Sequence, residues 1–212
     1  SLRTFSPDGD SVHLHFDGKT YLNFSGNDYL GLSSHPQVIE KAEYFLKKYG
    51  AGSSASRLIT GNLEIHQKLE QELAKASGTE AALIFNSGFQ ANSTVLSTLA
   101  DRHSLILADR KVHNSLIQGI KLSGAEFRRY RHNDLSHLEH LLQKAQKSAY
   151  SRIWVVSETL FSMGGDRADT SKIAALCEAY NALFYSDDAH AIGVFGENGL
   201  GLNPGIDGVH LS

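Results

Sequence analysis

From residue 81 onward, short apolar segments alternate with amphipathic ones, and this alternation constrains the fold more than any other feature of the sequence. The apolar segments are typical of buried strands, and the segments between them carry apolar residues at helical spacing. Strands are predicted at 81–85, 105–108, 126–130, 153–157 and 182–186, and helices at 89–100, 114–122, 134–147 and 171–180. Repeated β–α alternation favours a mostly parallel sheet with helices on both faces, so the sequence predicts an α/β fold.

A short hairpin segment is predicted before the α/β region. Apolar and polar residues alternate between Val12 and Phe24 around Asp17-Gly18, which is a strong two-residue turn signal. Pro36 suits the first turn of a helix, and a second helix is predicted to close at Gly78. We therefore expect an N-terminal hairpin segment over residues 1–35 and a large domain over residues 36–212.

Composition narrows the classes of protein to consider. The chain has 212 residues, 41% of them apolar and 20% charged, with a net charge of -3 and one cysteine. This charge gives no reason to expect nucleic acid or a membrane surface as a partner. No apolar run approaches the roughly 20 residues of a membrane span, and no signal peptide is recognisable, so a cytoplasmic location is expected. No histidine pair has metal-site spacing, so no metal is expected.

The segment from Tyr185 to Gly193 is the strongest candidate for a site. An apolar strand ends there in two carboxylates, Asp187 and Asp188, and His190 follows. Ligands of open α/β sheets bind at the carboxyl ends of strands. A buried acid with a nearby imidazole suits a heteroaromatic cofactor, whose ring nitrogen and oxygen they would bind. The alternative is a strand-end aspartate that caps the next turn.

Three other strand ends carry polar groups that are predicted to converge on the same crevice. Ser87-Gly88-Phe89 joins a strand to a helix, where free amides and the helix dipole favour a phosphate, although Phe89 also suits the core. His113 follows the next strand, and its alternative role is that of a cap or a surface residue. Glu158 and Ser162 follow a third strand, in what is otherwise an ordinary loop.

Taken together, these segments resemble the α-oxoamine synthases, a family of fold-type I pyridoxal-phosphate (PLP) enzymes. The resemblance extends over nearly the whole chain and rests on Asn23–Leu32, Gly52–Asn62, Ser87–Phe89, His113, Glu158–Asp166 and Asp187–His190. It implies the large domain of a fold-type I transferase and pyridoxal 5'-phosphate as cofactor. The implied reaction condenses an amino acid with an acyl thioester and releases CO2.

The resemblance also implies roles for individual residues. Asp187 would pair with the pyridinium nitrogen, and His190 together with Ser162 would hydrogen-bond the phenolic oxygen. His113 would stack on the ring, so His113, Asp187 and His190 are the predicted catalytic residues. The remaining candidates are cofactor-binding Ser87, Gly88, Phe89 and Glu158, and substrate-binding Asn27.

The family contains several activities, and the loop Ser56–Asn62 most resembles the branch that condenses L-alanine with pimeloyl-CoA, or a pimeloyl carrier protein, in biotin synthesis. Glycine C-acetyltransferase or another α-oxoamine synthase is the alternative, and a non-catalytic subunit of such an enzyme is a second one. Family members are homodimers, so a homodimer is expected.

The resemblance places two required parts outside this sequence. The lysine that binds the cofactor would follow His190 at a position beyond Ser212, and a small C-terminal domain would follow it. The large domain is therefore expected to be incomplete, as the N-terminal part of a longer protein, and the 212-residue chain alone is expected to be inactive.

Overall fold

The computed structural model describes residues 4–7, 12–203 and 209–211. Two compact units are distinguished, residues 1–72 and 73–212, and each is described by itself. The boundary predicted between residues 35 and 36 remains a prediction. Among the described residues, no helix combines the length and apolar character needed to cross a membrane.

The first unit contains the predicted hairpin. Strands β1 (Ser6–Pro7), β2 (His13–Phe16) and β3 (Lys19–Leu22) form an antiparallel sheet in that order. The turn between β2 and β3 uses Asp17 and Gly18, both with positive φ, of 51° and 68°. This is the left-handed geometry that two-residue hairpins require, and it explains the Asp-Gly signal in the sequence.

Two helices follow the hairpin. Helix α1 (Pro36–Tyr49) begins at a proline, as predicted, and the ring of His35 caps it by accepting the N–H of Gln37. Helix α2 (Glu64–Ser77) follows a loop rich in small residues. Arg57 fixes this loop, because its guanidinium donates to both carboxylate oxygens of Glu70 at 2.7 and 2.9 Å.

The second unit is built on a five-stranded parallel sheet. Its strands are β4 (Ser104–Asp109), β5 (Glu126–Tyr130), β6 (Arg152–Glu158), β7 (Leu183–Asp187) and β8 (Val209–Leu211), in the order β5-β4-β6-β7-β8. Helix α3 (Gly88–Leu99) precedes β4, and the helices α4 (Asn114–Ser123), α5 (Leu135–Ala145) and α6 (Thr170–Ala179) connect the strands from β4 to β7. The predicted α/β fold is confirmed.

Alternate residues of each strand face opposite sides of the sheet and form two separate cores. On one face, Ile106, Trp154 and Tyr185 pack with residues of α3 and α4. On the other, Leu107, Val155 and Phe184 pack with residues of α5 and α6, among them the buried Cys177. Burial raises the pKa of the Cys177 thiol to about 12. The apolar runs in the sequence thus reflect strands that are covered on both faces.

The strand predicted at 81–85 is wrong for the described structure. This segment has no strand assignment and belongs to neither sheet, and its Leu83 is 65% exposed. Its composition is strand-like, but a strand forms only where a neighbouring strand pairs with its backbone. No described strand pairs with the backbone of residues 81–85, so the segment runs irregularly into α3.

Candidate active site

The carboxyl ends of β6 and β7 bring two acidic side chains together. Glu158 and Asp187 are the last residues of these strands and are partners in the parallel register. Both are nearly buried, with exposed fractions of 4% and 7%. Buried carboxylates require partners, and those partners define the site.

Asp187 is held by two hydrogen-bond donors. Its Oδ2 accepts an N–H of the Asn92 side chain at 2.9 Å, and its Oδ1 accepts the backbone N–H of Ala189 at 3.1 Å. Each oxygen keeps further acceptor capacity, since an ionised carboxylate offers about four lone-pair positions. The site can therefore present a fixed negative charge to a ligand's N–H group.

Asn92 lies on α3, is buried, and connects Asp187 to the neighbouring helix. Its Nδ2 also donates to the hydroxyl of Ser115 on α4 at 2.9 Å. Its Oδ1 accepts from the hydroxyl of Tyr185 at 2.8 Å. Three partners thus fix the amide in one orientation.

His113 lies at the N-terminus of α4, where its ring caps the helix. Its Nδ1 accepts the backbone N–H of Ser115 at 3.2 Å and lies 2.7 Å from the Ser115 hydroxyl. The backbone N–H of His113 donates to Oε1 of Glu158 at 2.5 Å. His113 is therefore linked to Glu158 directly and to Asp187 through Ser115 and Asn92. Helix capping is one of the alternative roles that the sequence offered for His113.

The charge of Glu158 is unfavourable in this position. Burial raises its pKa to about 7, and the neighbouring charge of Asp187 adds to the increase. The backbone N–H groups of His113 and Ser162 act in the opposite direction, because they bind the ionised form. Burial and the charge of Asp187 together outweigh these hydrogen bonds, so the pKa of Glu158 stays above its ordinary value.

The N-terminus of α3 has the features of an anion site. Ser87 caps the helix by accepting the N–H of Gln90 at 3.1 Å. A Cβ added to Gly88 would meet nothing within 4 Å, so the space in front of this residue is open. Phe89 is half-exposed. The first N–H groups of a helix have no intrahelical acceptors, and the dipole there favours negative charge.

The structure separates the two aspartates of the Asp-Asp pair. Asp188 is buried and accepts from the hydroxyl of Thr159 and from the backbone N–H of Leu202, the latter at 3.0 Å. Its role is to hold the loop that follows β7. His190 lies in the turn after Asp188 and is partly exposed.

Asn27 belongs to the first unit, whereas the other predicted site residues belong to the second. Its Oδ1 accepts from the hydroxyl of Tyr29 at 3.4 Å. Its substrate role stays a prediction.

A cavity of about 380 Å³ opens beside these groups. Three predicted site residues line it, His113, Glu158 and Ser162, together with Phe161 and the segment that includes Met163 and Gly164. Asp187 and the N-terminus of α3 are not among its lining residues. Its volume is in the range of small-molecule sites.

His132 lies between two carboxylates and connects the loop after β6 to the carboxyl end of β4. His132 binds Asp109, at the end of β4, through Nδ1 at 2.9 Å, and Asp166 through Nε2. Burial acts to raise the pKa of Asp166, but His132 and Lys111 hold it below its ordinary value. The rings of Phe161 and His132 are nearly perpendicular, with centroids 4.6 Å apart. The cluster therefore fixes a wall of the cavity.

No role was predicted from the sequence for Asn92, Ser115, Tyr185 or the His132 cluster. The signal for Asn92 is a polar residue, four positions after Gly88, on the face of α3 that also carries the buried Leu96. A buried amide needs partners, so the sequence could have indicated a polar network there. Ser115 and His132 carry no comparable local signal.

A parallel sheet with acidic strand ends is also the framework of fold-type I PLP enzymes, and solved structures of that class are similar to this chain. A serine palmitoyltransferase from S. paucimobilis with a bound PLP–myriocin aldimine has this fold. It matches with a TM-score of 0.87 at 31% identity, over 94% of this chain and 50% of that one.

The chain belongs to the aminotransferase class I and II family, whose family model matches residues 19–212. It is 46% identical to the 8-amino-7-oxononanoate synthase of Chlorobaculum parvum, over 87% of this chain and 48% of that protein. It is 50% identical to a Paramagnetospirillum magneticum protein given that name provisionally, over 89% and 49% of the two chains. These matches confirm the resemblance and agree with the expected cofactor. The chain spans about half the length of the relatives that it matches.

Proposed function

We propose that this chain is the N-terminal part of a PLP-dependent C-acyltransferase that condenses L-alanine with a pimeloyl thioester, as in 8-amino-7-oxononanoate formation. Relatives of that name at 46–50% identity support the activity. The observation that carries it is Asp187, a nearly buried carboxylate at a strand end, fixed by Asn92 and open to one more donor.

The residues present fit PLP. Asp187 would bind the ring nitrogen and keep its proton in place, while the amides of Gly88 and Phe89, with Ser87, would hold the phosphate in the open space before α3. His190 and Ser162 would bind the phenolic oxygen. Bound PLP supplies an electron sink for the α-carbon of the amino acid.

The other residues act on the substrate and its surroundings. His113 would lie against the ring, where it would help to position the substrate by donating a hydrogen bond to it. Glu158 holds the backbone of His113 and of Ser162, so that one carboxyl group aligns two loops. Asn27 would contact the substrate. A homodimer in the cytoplasm completes the proposal.

The test is an assay of the full-length protein with matched substrate pairs. We expect turnover of L-alanine with pimeloyl-CoA or a pimeloyl carrier protein, and much weaker turnover of glycine with acetyl-CoA. A clear preference for glycine and acetyl-CoA would replace the assignment with glycine C-acetyltransferase. PLP binding without turnover of either pair would favour the non-catalytic subunit.

A further inference from the structure

A chain of hydrogen bonds connects two predicted catalytic residues that do not bind each other directly. It runs from the Tyr185 hydroxyl to Asn92, from Asn92 to the Ser115 hydroxyl, and from there to Nδ1 of His113, at 2.8, 2.9 and 2.7 Å. A branch leads from Asn92 to Asp187 at 2.9 Å. Asn92, Ser115, Tyr185 and Asp187 are all nearly buried, so water does not compete for most of these bonds.

The chemistry of the groups fixes the direction of each bond. The carboxylate of Asp187 accepts, so Asn92 must present its Nδ2 there and to Ser115, and its Oδ1 to Tyr185. The backbone N–H of Ser115 donates to Nδ1 of His113. Nδ1 is therefore an acceptor and carries no proton. The Ser115 hydroxyl accepts from Asn92 and donates to the same Nδ1.

We propose that Asn92 and Ser115 are positioning residues that hold Asp187 in one orientation and His113 in the tautomer with its proton on Nε2. In this state His113 presents an N–H donor to the site and no lone pair. It is suited to donate a hydrogen bond to a ligand oxygen, such as that of a carbonyl or a carboxylate, and unsuited to remove a proton. The part concerning Asp187 and the cofactor rests on the proposed function.

The tautomer is tested by nitrogen NMR of the full-length protein labelled with [15N]histidine, without cofactor. His113→Gln identifies the signal of His113 by its loss. We expect a protonated Nε2 and an unprotonated Nδ1 in the native protein. Ser115→Ala loses the hydroxyl donor but keeps the backbone N–H, so a measurably larger fraction of the other tautomer is expected there. A proton on Nδ1 in the native protein overturns the proposal, as does an identical tautomer in Ser115→Ala.

The hold on Asp187 is tested by PLP titration of Asn92→Leu and Asn92→Asp. Loss of a hydrogen bond to a buried charge should weaken binding by about tenfold to a hundredfold. Asn92→Asp keeps the shape of the side chain but places a carboxylate against Asp187. Ser97→Ala is the matched control on α3, because its hydroxyl binds only the local carbonyl of Thr94 at 3.0 Å. Binding by both Asn92 variants as tight as in this control overturns the proposal.

Two further measurements distinguish the proposed role from a steric effect and from loss of the fold. Ser115→Thr keeps a hydroxyl and should therefore keep the native tautomer of His113. If Ser115 had a purely steric role, the larger threonine would disturb the tautomer more than Ser115→Ala does. Thermal unfolding of each variant detects loss of the fold. If the native protein fails to bind PLP but shows the expected tautomer, the proposed function fails while the tautomer stands.

Discussion

At the scale of single residues, Glu158 and Asp187 share one buried edge but have different partners. Asp187 binds a side-chain amide that is itself fixed, whereas Glu158 binds the backbone of two loops. Because two adjacent buried charges repel, one of the pair takes up a proton more readily. The pKa of about 7 identifies Glu158 as that residue.

The raised pKa of Glu158 predicts a pH-dependent stability. The folded protein holds this proton more tightly than an unfolded chain, where glutamate has its ordinary value of 4.5. Its stabilising contribution is therefore complete below about pH 4.5 and is lost as the pH rises through about 7. In Glu158→Gln, the fall in unfolding free energy between pH 5 and 8 should shrink by at most about 3 kcal/mol.

Urea unfolding of the full-length protein at several pH values measures this difference. Glu178→Gln, a change at an exposed position on α6, is the matched control and should leave the slope as it is. A slope for Glu158→Gln equal to that of the native protein would contradict the expectation.

We predict that Asp187→Asn weakens cofactor binding. The substitution removes the charge that would keep the ring nitrogen protonated, and it places an uncharged amide against Asn92. We expect PLP binding to weaken by about tenfold to a hundredfold, as for other lost charged hydrogen bonds. Absorbance titration measures it, and Asp17→Asn in the exposed hairpin turn is the control. If Asp187→Asn binds PLP with native affinity, Asp187 does not have the proposed role.

At the scale of elements, the network depends on how closely α3 and α4 approach. A Cβ at Gly119 on α4 would lie 2.5 Å from the carbonyl oxygen of Asn92 and 3.0 Å from Cβ of Leu96. Only a residue without a side chain allows this spacing. The bond between Asn92 and Ser115 therefore depends on a glycine one helical turn away from Ser115.

Gly119→Ala should destabilise the protein although alanine favours helices. The gain in helix propensity is about 1 kcal/mol, while overpacking costs about 1–3 kcal/mol. We expect a lower unfolding midpoint together with weaker PLP binding, because the helices must separate at Asn92. Gln118→Ala, on the same helix, is the control. A more stable Gly119→Ala variant would show that the helices adjust freely.

The elements were largely predictable from the sequence, whereas the network between them was not. The spacing of apolar residues located α3 to α6 and four strands of the large sheet, because burying an element against the core sets the pattern of apolar residues within that element. It failed at 81–85, where the outcome depends on a neighbour that lies far away in sequence. Ser115 and His132 depend on partners 23 or more residues away, and a single sequence does not display those pairings.

At the scale of the whole molecule, the proposed homodimer makes a prediction about the first unit. Leu58 and Ile59 are 93% and 77% exposed, in the loop that Arg57 anchors to Glu70. Neighbouring exposed apolar side chains on a fixed loop are typical of an interface. We expect the full-length protein to sediment as a dimer, and Leu58→Asp to raise its dissociation constant by about tenfold or more. A native monomer at micromolar concentration would contradict this.

The two cores of the sheet also contain two natural probes. This chain has one tryptophan and one cysteine, and they lie on opposite faces, Trp154 against α3 and α4 and Cys177 with α5 and α6. Trp154 fluorescence and the rate at which Cys177 reacts with a thiol reagent thus report separately on the two layers. Coincident changes would show that both layers open in one cooperative step. Divergent changes would reveal which helical layer detaches first.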